Sequence, residues 1–160
     1  ELALYLAPAL LRRLAPYEHG PVDALLKREL EGFCQLAEGV SHFLYLAHTA
    51  VQERTVSLLE LEAQAEVDKF ALCLLHRWGA GVRSWAEELR WRLFDRVSYL
   101  PRLTEEERWR YQEANRLSRN FCSRLMGHVA ARRLEGLLSD LRYAYRLGAE
   151  AKLRHFAQVS

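Results

Sequence analysis

From Val22 to Val51, apolar side chains recur every three or four residues: Val22, Leu26, Leu30, Phe33, Leu36, Ala37, Val40, Phe43, Leu44, Ala47 and Val51. That period places one apolar face along a helix of roughly eight turns, and such a face has to be covered by other helices. Pro21 suits the first turn of this helix, where a missing N–H costs nothing. The same spacing returns downstream. Leu59, Ala63, Val67, Phe70, Leu74, Leu75 and Trp78 line one side of a second helix that ends at Gly79-Ala80-Gly81, with glycine suited to a left-handed C-cap. A third helix runs from about residue 82 to 99, with Leu89, Leu93, Val97 and Leu100 inward, Trp85 flanking, and Pro101 as its stop.

Thr104-Glu105-Glu106-Glu107 reads as a capping box. The long pattern behind it carries Ala114, Leu117, Phe121, Leu125, Val129, Leu134 and Leu141, and Gly127 and Gly136 are the places where it can split in two. Residues 2–14 form a short helix that Pro8 either kinks or restarts, 15–21 form a loop, and a last short helix follows Gly148. No segment alternates as a strand does, and no repeat of 20–50 residues is visible. The expected fold is all-α, an irregular bundle of five to seven amphipathic helices, with residues 1–160 as a single helical domain. The first residue is Glu1 and no signal pattern follows it, so the chain is expected to be a segment of a larger polypeptide.

Composition limits what this bundle does. Half the residues are hydrophobic, Lys plus Arg number 23 against 21 acids, and the net charge of +2 points to no class of partner. The three cysteines, Cys34, Cys73 and Cys122, fall in apolar helical contexts and read as reduced thiols of a cytosolic protein. No apolar stretch reaches membrane-spanning length. The eight glycines never assemble into GxxxxGK[ST] or GxGxxG, so no phosphate-cradling loop is predicted. Cys73-x-x-His76 with Cys122-x5-His128 lacks the tight pairing of structural zinc sites, and no Glu stands three residues before a His as di-iron bundles require. No GxSxG or comparable nucleophile context occurs. The expectation is no catalytic residue, no cofactor and no metal.

Charge is unevenly spread. Residues 53–68 hold Glu53, Glu60, Glu62, Glu66 and Asp68 against one base, Arg54, whereas residues 108–146 hold nine arginines and three acids. Either the acidic and basic helices face each other, or each is a solvated face. A nucleic-acid surface is the sharper reading, but the arginines point all round their helix instead of forming a stripe. The interaction candidates are the aromatic and basic residues that the local core does not need: Trp85, Trp91, Trp109, Tyr111, Arg116 and Arg119.

The segment PVDALLKRELEGFCQLAEGVSHFLYLAHTAV resembles the first long helix of the C-terminal region of dynein heavy chains, through Pro21, Leu26, Glu29, Phe33, Leu36, Val40, Leu44, Ala50 and Val51. TVSLLELE (Val56, Ser57, Leu61, Glu62) is similar to the family stretch that follows. Trp78, Trp85, Leu89, Arg92, Tyr99, Pro101 and Trp109 match later landmarks, and Phe121, Leu125, Ala130 and Arg132 match the helix after them. The likeness runs in order over about residues 4–133. Gln52 or Glu53 stands where the family has a glycine, and YQEANRLS replaces its Gly-Phe-Phe stretch, which points to a divergent member. A fainter likeness links residues 116–138 to the C-terminal helices of γ-tubulin complex proteins.

The resemblance implies a structural or regulatory segment of a microtubule motor heavy chain, packing on AAA+ modules of the same chain in the cytoplasm, cytoskeleton or cilium. It implies no turnover within the segment itself. The alternatives are a free-standing helical adaptor with protein partners and, behind it, an Arg-rich nucleic-acid-binding domain.

Overall fold

A computed structural model describes residues 2–159. Among them are eight α-helices and no strand, one helix more than the five to seven expected. In chain order they are α1 (Pro8–Leu14), α2 (Val22–Arg28), α3 (Leu30–Val51), α4 (Leu58–Leu75), α5 (Val82–Arg90), α6 (Glu105–Ala130), α7 (Leu134–Arg146) and α8 (Ala149–Ala157). None is long and apolar enough to cross a membrane.

Helix α4 is the axis of the bundle, packed on α3 along one side and on α6 along another, with α5 and α8 completing its cover. This explains its composition. Buried side chains come from all round it, and Ala63, Ala65 and Ala71 allow close approach. Ser118 of α6 comes near enough to donate its hydroxyl to the Ala63 carbonyl at 2.9 Å. Helices α7 and α8 pack on α6, while α1 and α2 pack on α3. The apolar core joins Leu26, Phe70, Leu89, Phe121, Leu125, Leu137 and Phe156, and the rings of Phe121 and Phe156 stack at 4.7 Å.

One end follows the local chemistry foreseen, and another has a cap that the sequence reading did not single out. Thr104 and Glu107 complete a reciprocal capping box at the start of α6, and Ser57 caps α4 by accepting from the Glu60 amide at 3.1 Å. Other ends differ. The helix expected over 2–14 begins only at Pro8, which occupies its first turn. The helix expected from Val22 to Val51 breaks at Glu29 (φ −134°, ψ 36°), whose carboxylate receives Arg13 at 2.5 Å. That bend frees α2 to bury Leu26 while α1 lies along α3.

Gly81 adopts φ 77°, but as the N-cap of α5 and not the C-cap of α4. The third helix stops at Asp95 after a π-helical turn over Trp91–Asp95, in which the Arg96 amide reaches the Trp91 carbonyl at 2.9 Å. Val97 and Leu100, expected inward, are therefore exposed beyond its end. The long C-terminal pattern splits at residues 131–133, where Arg132 takes φ 53°, and not at Gly127 or Gly136.

Candidate functional site

Two polar stripes face each other where α3 runs back along α4. On α3 they are Ser41 and Tyr45, one turn apart. On α4 they are Glu60, Gln64 and Asp68, each a turn from the next. The i, i+4 spacing puts each set on one side of its helix. Between the stripes comes Lys152, carried in on α8 and 0% exposed. Its ammonium donates to the Tyr45 hydroxyl at 2.6 Å, to Gln64 Oε1 at 2.6 Å and to the Tyr145 carbonyl at 3.3 Å. It also lies 4.2 Å from the Tyr45 ring centroid, within cation–π range.

From Lys152 the hydrogen bonds run two ways. In one direction Tyr45 donates to Glu60 Oε1 at 2.5 Å, and Arg54 donates to the same oxygen at 2.7 Å. In the other, Gln64 Nε2 donates to Asp68 Oδ1 at 2.8 Å, and Ser41 donates to Asp68 Oδ2 at 2.6 Å. Burial shifts the titrations. Desolvation draws Lys152 down to about 7, opposed by the charges of Glu60 and Asp68. Burial, with the bond to Glu60, raises Tyr45, and burial raises Asp68. All three ammonium protons of Lys152 have acceptors, the side chain is wholly buried and it does not line the neighbouring groove, so the amine is a clamp between helices and not an accessible nucleophile.

The Asp68 end of this network opens on a groove. A hollow of about 330 Å³ lies between α3, α4 and α7, with Ser41, Gln64, Asp68 and Tyr145 at its polar base. Its walls are Val40, Leu44, Leu72, Leu75 and Leu141, and Arg142 stands at its lip. Leu44 is 54% exposed and Leu72 is exposed beside it. Asp68 is half-buried, and each of its oxygens accepts one hydrogen bond, which leaves acceptor capacity facing the hollow. Apolar walls with a few convergent polar groups, at this volume, are the usual make-up of a binding pocket.

None of the six interaction candidates lines the groove. Trp85 is 6% exposed, its indole N–H donates to the Cys73 carbonyl at 3.0 Å, and Arg77 covers its ring; it belongs to the core, because the end of α4 provides a buried acceptor for it. Trp91 and Trp109 are 51% and 59% exposed, and Tyr111 is half-buried beside Arg110. Arg116 pairs with Glu113 on its own helix and Arg119 with Asp95, so these two cations are neutralised locally.

The acids of residues 53–68 do not meet the arginines of α6 and α7. Glu60 is held by Arg54, Glu66 by Lys69, and Glu62 lies beside His42. Cys73 and Cys122 are buried free thiols, His76 meets Phe33 edge-on, and His128 pairs with Asp140 at 2.8 Å, so that quartet forms no common centre.

Sequence reasoning missed Lys152, Tyr45, Gln64 and Ser41, and for Glu60 and Asp68 it offered only pairing with the basic helices or a solvated face, neither of which is where they lie. A signal was present: Glu60, Gln64 and Asp68 at four-residue spacing on a helix otherwise rich in Ala, Leu and Phe. No protein family, curated protein or solved structure matches the chain.

Proposed function

We propose that the chain is a helical docking module, and that the groove between α3, α4 and α7 receives the apolar edge of an amphipathic helix bearing one basic side chain. The observation that carries this reading is the pairing of exposed wall leucines with a half-buried carboxylate at the base. An apolar face recognises the walls, as in other helix-in-groove complexes. A lysine or arginine of the partner reaches Asp68, and an acidic residue one turn away meets Arg142 at the lip. A charged hydrogen bond made inside an apolar groove gives orientation as well as affinity. The role is binding, without turnover in this segment.

Titration with a synthetic amphipathic helix, leucines at i, i+3, i+4 and i+7 and one central lysine, tests the proposal. Saturable binding is expected, weakened about tenfold or more by Leu44→Glu or Leu72→Glu. Asp68→Asn should remove the preference for the lysine peptide over its norleucine counterpart. Equal binding by all variants, or none by the wild type, overturns it.

In the dynein-like form of the proposal the partner helix belongs to an AAA+ module of the same polypeptide. That form expects the isolated chain to bind hydrophobic dye strongly and to self-associate. The adaptor form expects a monodisperse chain that unfolds cooperatively.

A further inference from the structure

Half a turn round α4 from the Lys152 network lies a second polar cluster that the docking groove does not use. Glu38 and His42 stand one turn apart on α3, and Glu62 stands opposite on α4. One potential ligand atom from each of the three lies within 4.8 Å of the other two. His42 Nε2 is enclosed, has no hydrogen-bond partner, and lies 3.5 Å from Glu62 Oε2. An enclosed ring nitrogen normally finds a partner, so an imidazole left without one beside two carboxylates is unusual for a purely structural residue.

Charge points the same way. Glu66 joins the cluster through Lys69, whose ammonium bonds Glu66 at 2.7 Å and Glu38 at 3.1 Å. Lys69 thus bonds two of the three carboxylates and leaves Glu62 facing His42.

We propose that Glu38, His42 and Glu62 bind a divalent first-row transition-metal ion. Imidazole nitrogen with two carboxylate oxygens is a borderline donor set, suited to zinc, cobalt, manganese or ferrous ion. Closing the ligand atoms from their present spacing to coordination distance needs only side-chain rotation on two helices already packed together. Lys69 serves as the outer partner that orients Glu38, because it holds Oε2 and leaves Oε1 available. Three protein ligands leave positions for water, so the ion is exchangeable instead of sealed in.

The test is titration of the chelator-treated full chain with Co²⁺, read by visible d–d absorption, with Zn²⁺ competition and thermal melting alongside. One equivalent is expected to bind, with a rise in Tm on saturation. His42→Gln and Glu62→Gln are each expected to weaken binding about 10- to 100-fold. His128→Ala, remote from the cluster, should leave it unchanged. Circular dichroism reports whether each variant folds. If one does not, Mn²⁺-induced broadening of amide signals around residues 38, 42 and 62 in the wild-type chain decides the matter. Absence of saturable Co²⁺ absorption, equal affinity in His42→Gln and Glu62→Gln, or broadening centred elsewhere overturns the proposal.

Discussion

Lys152 is a cation delivered to a place that water does not reach, and its surroundings decide which charge state survives. Three acceptors favour the ammonium, while desolvation favours the neutral amine and is the larger effect, drawing the group to about 7 from an ordinary 10.5. Between those values the unfolded chain holds the extra proton, so this group makes stability rise with pH from about 7 towards about 10. Tyr45 acts with the opposite sign. Its hydroxyl is kept protonated in the fold, so stability falls once pH passes the ordinary tyrosine value of about 10. Urea midpoints should therefore climb between pH 7 and 9.5, by on the order of 1–3 kcal/mol in unfolding free energy. Lys152→Met should flatten that climb. A wild-type profile already flat over this range would show that the lysine does not titrate as its burial requires.

At the scale of elements, the junction between α6 and α7 shows two kinds of backbone constraint. Arg132 takes a left-handed φ of 53° to turn the chain, a conformation that strains any residue with a Cβ. Gly136 lies within α7, and a Cβ there would come 2.6 Å from His128 Nδ1 of α6. The two residues should therefore respond oppositely to exchange. Arg132→Gly is expected to be neutral to stabilising, by up to about 1 kcal/mol, because relief of strain exceeds the entropy given to the unfolded chain. Gly136→Ala is expected to destabilise by about 1–3 kcal/mol and to break the His128–Asp140 pair, since the ring has to move. Thermal melts of the two variants check this, and a Gly136→Ala protein as stable as the wild type would contradict the close approach.

The same junction shows what was legible. On α3 the expected apolar face is not the buried one: Cys34, Ala37, Ser41, Tyr45 and Thr49 turn inward, while Leu44 and Val51 are exposed. Caps and periods are written in adjacent residues, so the box at Thr104 and the buried face of α6 could be read directly. The breaks at Glu29 and Arg132 could not, because neither residue is a helix breaker; packing of α1 on α3, and of α7 on α6 at Gly136, decides them.

For the whole molecule, closure depends on α8, the last element of the chain. Its nine residues place Lys152 against Tyr45, 107 positions earlier, and Phe156 against Phe121. Of the Lys152 network only the α4 stripe, Glu60, Gln64 and Asp68, leaves a local pattern in the sequence; its partners on α3 and α8 do not, which is why the helices were foreseen and the polar network between them was not. The groove depends on the same long-range assembly, since α3, α4 and α7 must all be in place for Asp68 to lie at a shared base.

The two anchors of α8 differ in kind, and this separates their consequences. Phe156 is an apolar residue in the core, so Phe156→Ala should cost about 3–5 kcal/mol. That corresponds to a fall in Tm of roughly 10 °C or more for a chain of this size. Lys152→Met removes a desolvated charge and leaves a side chain of similar length, so its effect near pH 7 should be smaller and its signature the lost pH dependence. Amide exchange should follow the same division. Phe156→Ala should speed exchange in α8 and in the middle of α6, where Phe121 loses its stacking partner, while the α3–α4 pairing near Ser57 and Thr49 stays protected. If exchange quickens uniformly instead, α8 is part of one indivisible cooperative unit and not the closing element of a bundle built around α4.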